Sequence, residues 1–373
     1  MKLRQIGDFL ALFGNKLCHM TSANTWPQIL TKLVEKTDLN RAESAWAMQQ
    51  IMSGETVDIN IAAFVVALRS KGETIEELAG LVDVMLANSV KLETGSDAVD
   101  IVGTGGDLVG TVNISSMASV LTAAAGVPVL KHGSRSASGK TGSSEMLEAL
   151  GIRLELEPVR VAEVFQEVGI TFFFAPLFHP AMKNVAPIRK ALGVPTTFNF
   201  LGPLANPVQP IATALGVSNP QLAPLMAGEM AKRGRTALVV RGNDGLDELT
   251  TTDTSKIWQV SGGEVQQFEL DPRDFGLARV AQDKLLGGDS VENAQIASKL
   301  FAGSTEGNLA AVKDIVLLNA ASGIVAYQLA KDASRAELSI NDRFDDALTT
   351  AREALESGAA EAKLNNWIAA TQK

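Results

Sequence analysis

Cysteine and histidine are scarce in this chain: Cys18 stands alone, and only three histidines are spread over 373 residues. One thiol makes no internal disulfide and no thiolate metal cluster, so a reducing cytoplasm is the expected setting. No His/Cys cluster of zinc spacing exists, and neither a P-loop nor a G-x-S-x-G turn occurs. Long apolar runs are missing too. No stretch approaches the roughly 20 apolar residues that cross a bilayer, so no membrane partner is expected. Excess positive charge is also absent. A net charge of −9 and a pI near 5.1 argue against a nucleic-acid partner, whose phosphates demand surplus Lys and Arg. A local basic pocket for a phosphorylated small molecule stays compatible with that balance. There is no internal repeat and no low-complexity tract.

What remains is ordinary for a globular protein, with 46% hydrophobic and 20% charged residues. The length suits one large domain and a smaller one. Residues 1–20, with Lys2, Arg4 and the apolar run Phe9 to Phe13, superficially resemble a signal peptide. Their apolar core is short and no small-residue cleavage site follows, so residues 1–22 read as a dispensable extension, with Met20 an alternative start.

From Trp26 to about Val90 the pattern is helical. Asn40 with Glu43 and Thr74 with Glu77 have the spacing of reciprocal helix caps, and Ile61, Phe64, Val65 and Leu68 mark a buried helical face. Four short helices predict a small all-helical domain over residues 23–92. The texture changes at Ala98. Strands are expected at Val99–Val102, Val127–Leu130, Ile152–Leu156, Thr171–Phe174 and Thr236–Val240. Helices are expected at Ser115–Gly126, Gly142–Leu150 and Pro158–Gly169. This alternation predicts an α/β domain with a mainly parallel central sheet, over 93–179 and 211–373. The Pro/Gly-rich stretch from His179 to Pro210 reads as a hinge-bearing crossover that rejoins the helical domain. Two long helices, near Asn308–Ala330 and Arg343–Ala370, close the chain.

Three loops follow strands, at the edge where parallel sheets bind ligands. The first is Gly103-Thr-Gly-Gly-Asp107, followed by Thr111, Asn113, Ser115 and Ser116. Glycines admit a phosphate to backbone N–H groups, and the following helix offers its positive end. The macrodipole gives only about 0.3–1 kcal/mol, so bonds from Ser and Asn, at about 1.5–3 kcal/mol each to a charged group, must do more. A plain strand-to-helix turn capped by Ser115 fits the same residues. The second loop, Lys131 to Lys140 followed by Ser143, gathers cations and hydroxyls suited to a pyrophosphate, though a solvated basic loop would look alike. Within it, His132 reads as a backbone-supporting ring rather than a base, since no nucleophile accompanies it. The third is Gly242 to Glu248, where Asp247 and Glu248 suit Mg2+, an ion that takes few protein oxygens along with waters and substrate phosphates. Surface solvation is its bland alternative. Together the loops describe a Mg2+-assisted site for a phosphorylated sugar.

Six motifs then occur in order: Gly103-Thr-Gly-Gly-Asp107, Asn113-Ile-Ser-Ser116, Lys131-His-Gly-x-Arg135, His179 to Arg189, Gly202-Pro-Leu-x-Asn-Pro207 and Gly245-Leu-Asp-Glu248. From Trp26 to the C-terminus the chain resembles the anthranilate phosphoribosyltransferases. The resemblance implies a fold of nucleoside phosphorylase and phosphoribosyltransferase type, with the active site in the cleft between a helical and an α/β domain. It further implies transfer of the phosphoribosyl group of 5-phosphoribosyl 1-pyrophosphate to anthranilate, two Mg2+ ions per subunit, and a cytoplasmic homodimer joined through the helical domain. Carried over residue by residue, Gly103, Gly106, Asp107, Thr111, Asn113, Ile114, Ser115 and Ser116 would line the phosphoribosyl pyrophosphate site. Lys131, His132, Gly133, Ser134, Arg135, Ser136, Ala137, Ser138, Gly139 and Ser143 would complete it. Gly103, Ser134 and Arg189 would contact anthranilate, with His179 and Pro203 lining its channel. Ser115, Asp247 and Glu248 would hold the metal, and no residue is assigned as acid or base.

This chain departs from the usual pattern at several positions. Ser134 replaces Asn, Leu108 and Gly110 replace Gly and Asn, Ser116 replaces Thr, and Ala205 replaces Thr. The shorter Ser134 forfeits one hydrogen bond to the acceptor, about 1 kcal/mol or roughly fivefold in affinity. Two other readings share some of these features. One is a phosphoribosyltransferase or nucleoside phosphorylase of the same architecture with a different aromatic acceptor. The other is a non-catalytic nucleic-acid-binding relative, which should have a basic surface and lack the glycine and acidic motifs.

Overall fold

The computed structural model describes residues 24–135 and 141–373. The expected extension over residues 1–22, and Ser136, Ala137, Ser138 and Gly139 of the second loop, lie outside the described residues. The described residues begin with four helices: α1 (Trp26–Val34), α2 (Arg41–Ser53), α3 (Asp58–Lys71) and α4 (Ile75–Ala87). Asn40 accepts the Glu43 N–H at 2.9 Å while Glu43 accepts the Asn40 N–H at 3.0 Å. Thr74 and Glu77 repeat the device at 3.3 and 2.8 Å. Each reciprocal pair satisfies N–H groups that the first helical turn leaves free. Ile61, Phe64, Val65 and Leu68 are the buried face of α3, as their spacing predicts.

Seven strands form one sheet in the order β3-β2-β1-β4-β5-β6-β7. They are β1 (Val99–Gly103), β2 (Val129–Gly133), β3 (Ile170–Phe174), β4 (Ala212–Gly216), β5 (Thr236–Gly242), β6 (Ser255–Ser261) and β7 (Glu264–Leu270). The first five run parallel; β6 and β7 return antiparallel. Helices α5 (Ile114–Ala124), α6 (Ser143–Ala149), α7 (Pro158–Val168), α8 (Ala175–Phe178), α9 (Ala186–Leu192) and α10 (Leu222–Lys232) connect the strands. They are followed by α11 (Ser290–Phe301), α12 (Leu309–Lys331), α13 (Ile340–Glu356) and α14 (Ala359–Thr371). A small helical part beside a large, mostly parallel α/β part is the architecture the sequence predicts.

Side chains alternate between two clusters. Leu238 and Val240 of β5 face a core built with α5, α12, α13 and α14, whereas Ala237 and Val239 face a core shared with α1 to α4 and α10. Val185, Ile188, Phe198, Phe200 and Leu201 of the crossover join that second core. Asn184 donates to the Met52 carbonyl at 3.0 Å and Thr197 to Glu73 at 2.6 Å, tying the crossover to α2 and to the link between α3 and α4.

Several expected elements differ. Ile152–Leu156 is not a strand. Ile152 and Leu154 alternate with exposed Arg153 and Glu155, but the Ile152 N–H bonds to Leu147 and the Arg153 N–H to the Thr371 hydroxyl. The alternation reflects an extended link lying on helices, with no strand beside it. The second strand begins at Val129 and continues through Lys131 and His132, which pair with Phe172 and Phe173 of β3, so Lys131 belongs to the sheet and not to the loop. The helix expected from Arg343 to Ala370 is two helices, broken where Gly358 takes a φ of +78°. Finally, α12 is apolar enough to pass for a membrane span, with a mean hydropathy of 1.7, a run the sequence reading overlooks. Of that apolar window 83% is buried inside the protein, against α5, α13 and β4.

Candidate active site

The carboxyl ends of β1, β4 and β5 converge on one acidic loop. Gly103 ends β1 beside Gly216, which ends β4. A Cβ on Gly103 would stand 2.3 Å from Asp247 Oδ2, and one on Gly216 would stand 1.6 Å from the Asp247 carbonyl oxygen. Only glycine fits at these two positions. The Gly105 N–H donates to Asp247 Oδ2 at 2.6 Å, and Thr104 N–H donates to Gly216 at 2.9 Å. Asp244 shapes the loop from within by accepting from Leu246 N–H at 3.2 Å and from Thr250 at 2.7 Å. From beneath, buried Asn319 of α12 accepts the Leu249 N–H at 3.0 Å and donates to the Leu249 carbonyl at 2.8 Å. Asp247 and Glu248 are therefore presented by a loop fixed on both sides.

Charge accumulates here. Burial pushes the carboxyls of Asp247 and Glu248 up; the charge of Asp107 adds to both shifts, and that of Asp247 adds to the shift of Glu248. Beneath them lies Lys131, fully buried, donating to the Ile101 carbonyl and standing 3.5 Å from Ser115 Oγ. Burial pushes the Lys131 ammonium down to about 8, opposed by Asp100, Glu248 and Asp247. One buried lysine does not neutralise this set of carboxylates, and a divalent cation would. Among the described residues no three His, Cys, Asp or Glu side chains converge as a closed cage. Asp247, Glu248 and the Ser115 hydroxyl all lie around Lys131, a donor set whose chemistry fits Mg2+ with positions left for water and phosphate oxygens.

The first glycine loop lies open. Gly105 and Gly106 have φ of +66° and +83°, and Asp107 accepts the Val109 N–H at 3.1 Å. Leu108 is exposed with φ +60°, a left-handed conformation that favours glycine. Thr111 bridges to Leu286, and Asn113 donates to the Thr141 carbonyl at 3.2 Å. Ser115 lies in the first turn of α5 rather than capping it. Ile114 and Ser116 point into the core, leaving their backbone in the first turn as what could meet an anion.

Around the second loop, Ser143 begins α6 and donates to the Ser134 carbonyl at 3.4 Å. Gly133 permits this closeness, since a Cβ there would stand 2.7 Å from Ser143 Oγ. Ser134 is exposed. Arg135 pairs with Glu148 at 3.1 Å and lies over Phe174, 5.4 Å from the ring centre.

His132 and His179 form an edge-to-face pair, their ring centres 5.1 Å apart. His132 Nδ1 meets the Gly202 carbonyl at 3.1 Å, which makes that nitrogen the protonated one and ties the ring to the residue before Pro203. Both Nε2 atoms are buried with no hydrogen-bond partner among the described residues. Burial pushes His132 down to about 3 and His179 to about 4, so both rings are neutral near pH 7. Arg189, on α9, is partly buried and has no hydrogen-bond or ion-pair partner among the described residues; burial lowers its pKa. A guanidinium without a protein partner in such a place is ready for an anionic ligand.

Sequence reasoning missed Asp100, Gly216, Asn293 and Asn319, and quoted Asn206 only as part of a motif. Asp100 accepts from the His132 N–H at 3.1 Å and from Asn206 at 2.9 Å, binding β1, β2 and the crossover together. Its signal was present, as a carboxylate in an otherwise apolar strand.

Comparison with known proteins places these features in context. Residues 27–89 match the model of a glycosyl transferase family, helical bundle domain, and residues 95–361 that of a glycosyl transferase family, a/b domain. An anthranilate phosphoribosyltransferase of Leifsonia xyli subsp. xyli is 51% identical over 353 residues, which cover 95% of this chain and 100% of the relative. The crystal structure of the Thermus thermophilus anthranilate phosphoribosyltransferase superposes with a TM-score of 0.83 at 37% identity, covering 92% of this chain and 99% of the other. That of Saccharomyces cerevisiae, in complex with PRPP and Mg, gives a TM-score of 0.82 at 26% identity, covering 95% and 99%.

Proposed function

Since the chain belongs to the anthranilate phosphoribosyltransferases, within the glycosyl transferase family, we propose that it joins anthranilate to the ribose of 5-phosphoribosyl 1-pyrophosphate. The products are N-(5-phosphoribosyl)anthranilate and pyrophosphate, a step of tryptophan biosynthesis. The observation that carries this reading is the convergence of Asp247 and Glu248, the Gly103–Asp107 loop and the start of α5 at the carboxyl edge of one parallel sheet.

In this reading the glycine loop, Thr111, Asn113, Ser115 and the segment from Lys131 to Ser143 hold the phosphoribosyl pyrophosphate. Ser115, Asp247 and Glu248 hold Mg2+, two ions per subunit, and the bound metal neutralises charge that builds on the departing pyrophosphate. The bond at the anomeric carbon breaks ahead of attack, leaving an oxocarbenium-like centre. The anthranilate amine is neutral at pH 7, so positioning matters more than a base. Arg189 takes the anthranilate carboxylate, and the neutral rings of His132 and His179 with Pro203 shape the channel without competing charge. Ser134 in place of the usual Asn weakens the grip on the acceptor.

We divide the chain into a helical domain (23–92, joined by 180–210) and an α/β domain (93–179 and 211–373), with the site between them. Closure across the crossover excludes water and suppresses hydrolysis. The molecule works in the cytoplasm as a homodimer joined through the helical domain; exposed Val34, Val57, Ile59 and Val66 on and beside α1 and α3 support that interface.

The test follows anthranilate fluorescence after addition of phosphoribosyl pyrophosphate and Mg2+, then EDTA. Magnesium-dependent loss of the signal, abolished by Asp247→Asn with Glu248→Gln, is expected. Absence of conversion by protein that binds phosphoribosyl pyrophosphate would refute the acceptor assignment.

A further inference from the structure

A chain of amides runs from α11 to the first glycine loop, and its polarity is fixed at both ends. At one end the Gly288 N–H, which can only donate, meets Asn293 Oδ1 at 2.8 Å. The other face of that amide is therefore Nδ2, which donates to Asn113 Oδ1 at 2.8 Å. Asn113 must then turn its own Nδ2 away, and one of its hydrogens goes to the Thr141 carbonyl at 3.2 Å, a group that can only accept. The assignment closes without conflict because both terminal partners are backbone. Asn293 is buried, in the first turn of α11, where Asp289 caps the helix.

The same segment is bound to the loop along its length. Val112 N–H donates to Leu285 at 3.0 Å, Gly287 N–H to Gly110 at 3.0 Å, and the Thr141 hydroxyl to Gly288 at 3.0 Å. At Gly287 a Cβ would stand 2.4 Å from Asn293 Oδ1 and 3.0 Å from Val112. Residues 285–293 thus brace the loop that carries Thr111 and Asn113.

We infer that Asn293 is a positioning residue that forces Asn113 to present an N–H, never its carbonyl oxygen, to the phosphoribosyl pyrophosphate. After the bond to Thr141, Asn113 Nδ2 retains one hydrogen. An anion accepts that hydrogen, whereas a carbonyl oxygen in its place would repel it. The inference rests on the reading that Asn113 faces this substrate, so the experiment separates the two.

Asn293→Asp keeps the shape and inverts the outer half of the amide. A carboxylate still accepts from Gly288, but it also demands a donor from Asn113, which turns the Asn113 oxygen towards Thr141 and the site. The KM for phosphoribosyl pyrophosphate is expected to rise about tenfold or more, as for loss of one hydrogen bond to a charged group, with the KM for anthranilate within about twofold. Introduced into Asn113→Ala, the same change should have no further effect on that KM. Asn293→Ala, which removes the constraint without a new charge, should raise it less and serves as the second variant if the carboxylate impairs folding. Equal effects of Asn293→Asp with and without Asn113, or a KM for phosphoribosyl pyrophosphate unchanged in both Asn293 variants while Asn113→Ala raises it, would overturn the inference. An unchanged KM in Asn113→Ala itself would instead overturn the placement of Asn113 at the substrate.

Discussion

Lowering the pH from 8 to 5 is expected to destabilise this protein through two histidines, by an amount that can be worked out. His132 and His179 are buried as a neutral pair, pushed down to about 3 and about 4. In the unfolded chain each returns to about 6.5. A depressed histidine contributes stability that is complete above the unfolded value and is lost as the pH falls towards the folded one. At pH 5 the unfolded chain has gained about 1.5 pH units of proton binding per ring, which the folded state has not matched. This amounts to about 2 kcal/mol for each ring and about 4 kcal/mol for the pair. Buried carboxyls oppose it: Asp100 and Asp247 are raised to about 6 and Glu248 is raised as well, so the folded state binds extra protons and gains about 1.5 kcal/mol for each of the first two over the same interval. Urea denaturation at pH 8 and pH 5, for the parent, His132→Gln, His179→Gln and the double variant, isolates the histidines. The pH-dependent loss, not the absolute stability, is the quantity compared. Each replacement should reduce that loss by about 2 kcal/mol. Equal losses in the parent and the double variant would refute the burial of two neutral rings.

Gly216→Ala places a Cβ 1.6 Å from the Asp247 carbonyl and must displace the acidic loop; a loss of about a hundredfold in kcat/KM is expected with the circular dichroism spectrum preserved. Leu108→Gly relieves a left-handed leucine that costs about 1–2 kcal/mol, so urea melts should show stability held or raised, where a leucine-to-glycine change elsewhere lowers it. Asn319→Leu leaves the Leu249 N–H and carbonyl unpaired in the core, and thermal or urea melts should register a loss of about 2–4 kcal/mol.

Features written locally were legible in the sequence. The capping pairs at Asn40 and Thr74 each lie within four residues, and the glycine loop after β1 announces itself by composition. Strand β4 escaped notice because Ala212-Thr-Ala-Leu-Gly216 has little β-branched bulk; its place at the centre of the sheet comes from β1 and β5 on either side. The β6–β7 hairpin is turned by Gly262 and Gly263, both with positive φ, but Lys256, Gln259 and Gln266 mask its strand pattern. Extended backbone at Ile152 has the alternation of a strand without a partner, and periodicity alone does not distinguish the two. Site residues followed the same division. Asp247 and Glu248 stand in a motif, whereas Asn293 and Asn319 act on loops 180 and 70 residues away, so nothing near them in sequence signals their partners.

The core behind the first four helices also sets a timetable for synthesis. Its residues run from Ile29 to Met85 and then resume at Val102, through the crossover and α10, to Trp258 and Val260 on β6. A nascent chain that has just emerged with its four helices therefore packs them on one another but lacks the part of their core that the sheet and α10 supply. At roughly 5–20 residues per second, completing that part takes about 10–35 s more of translation. During that interval the apolar face that α1 to α4 turn towards the sheet stays uncovered until the far strands arrive.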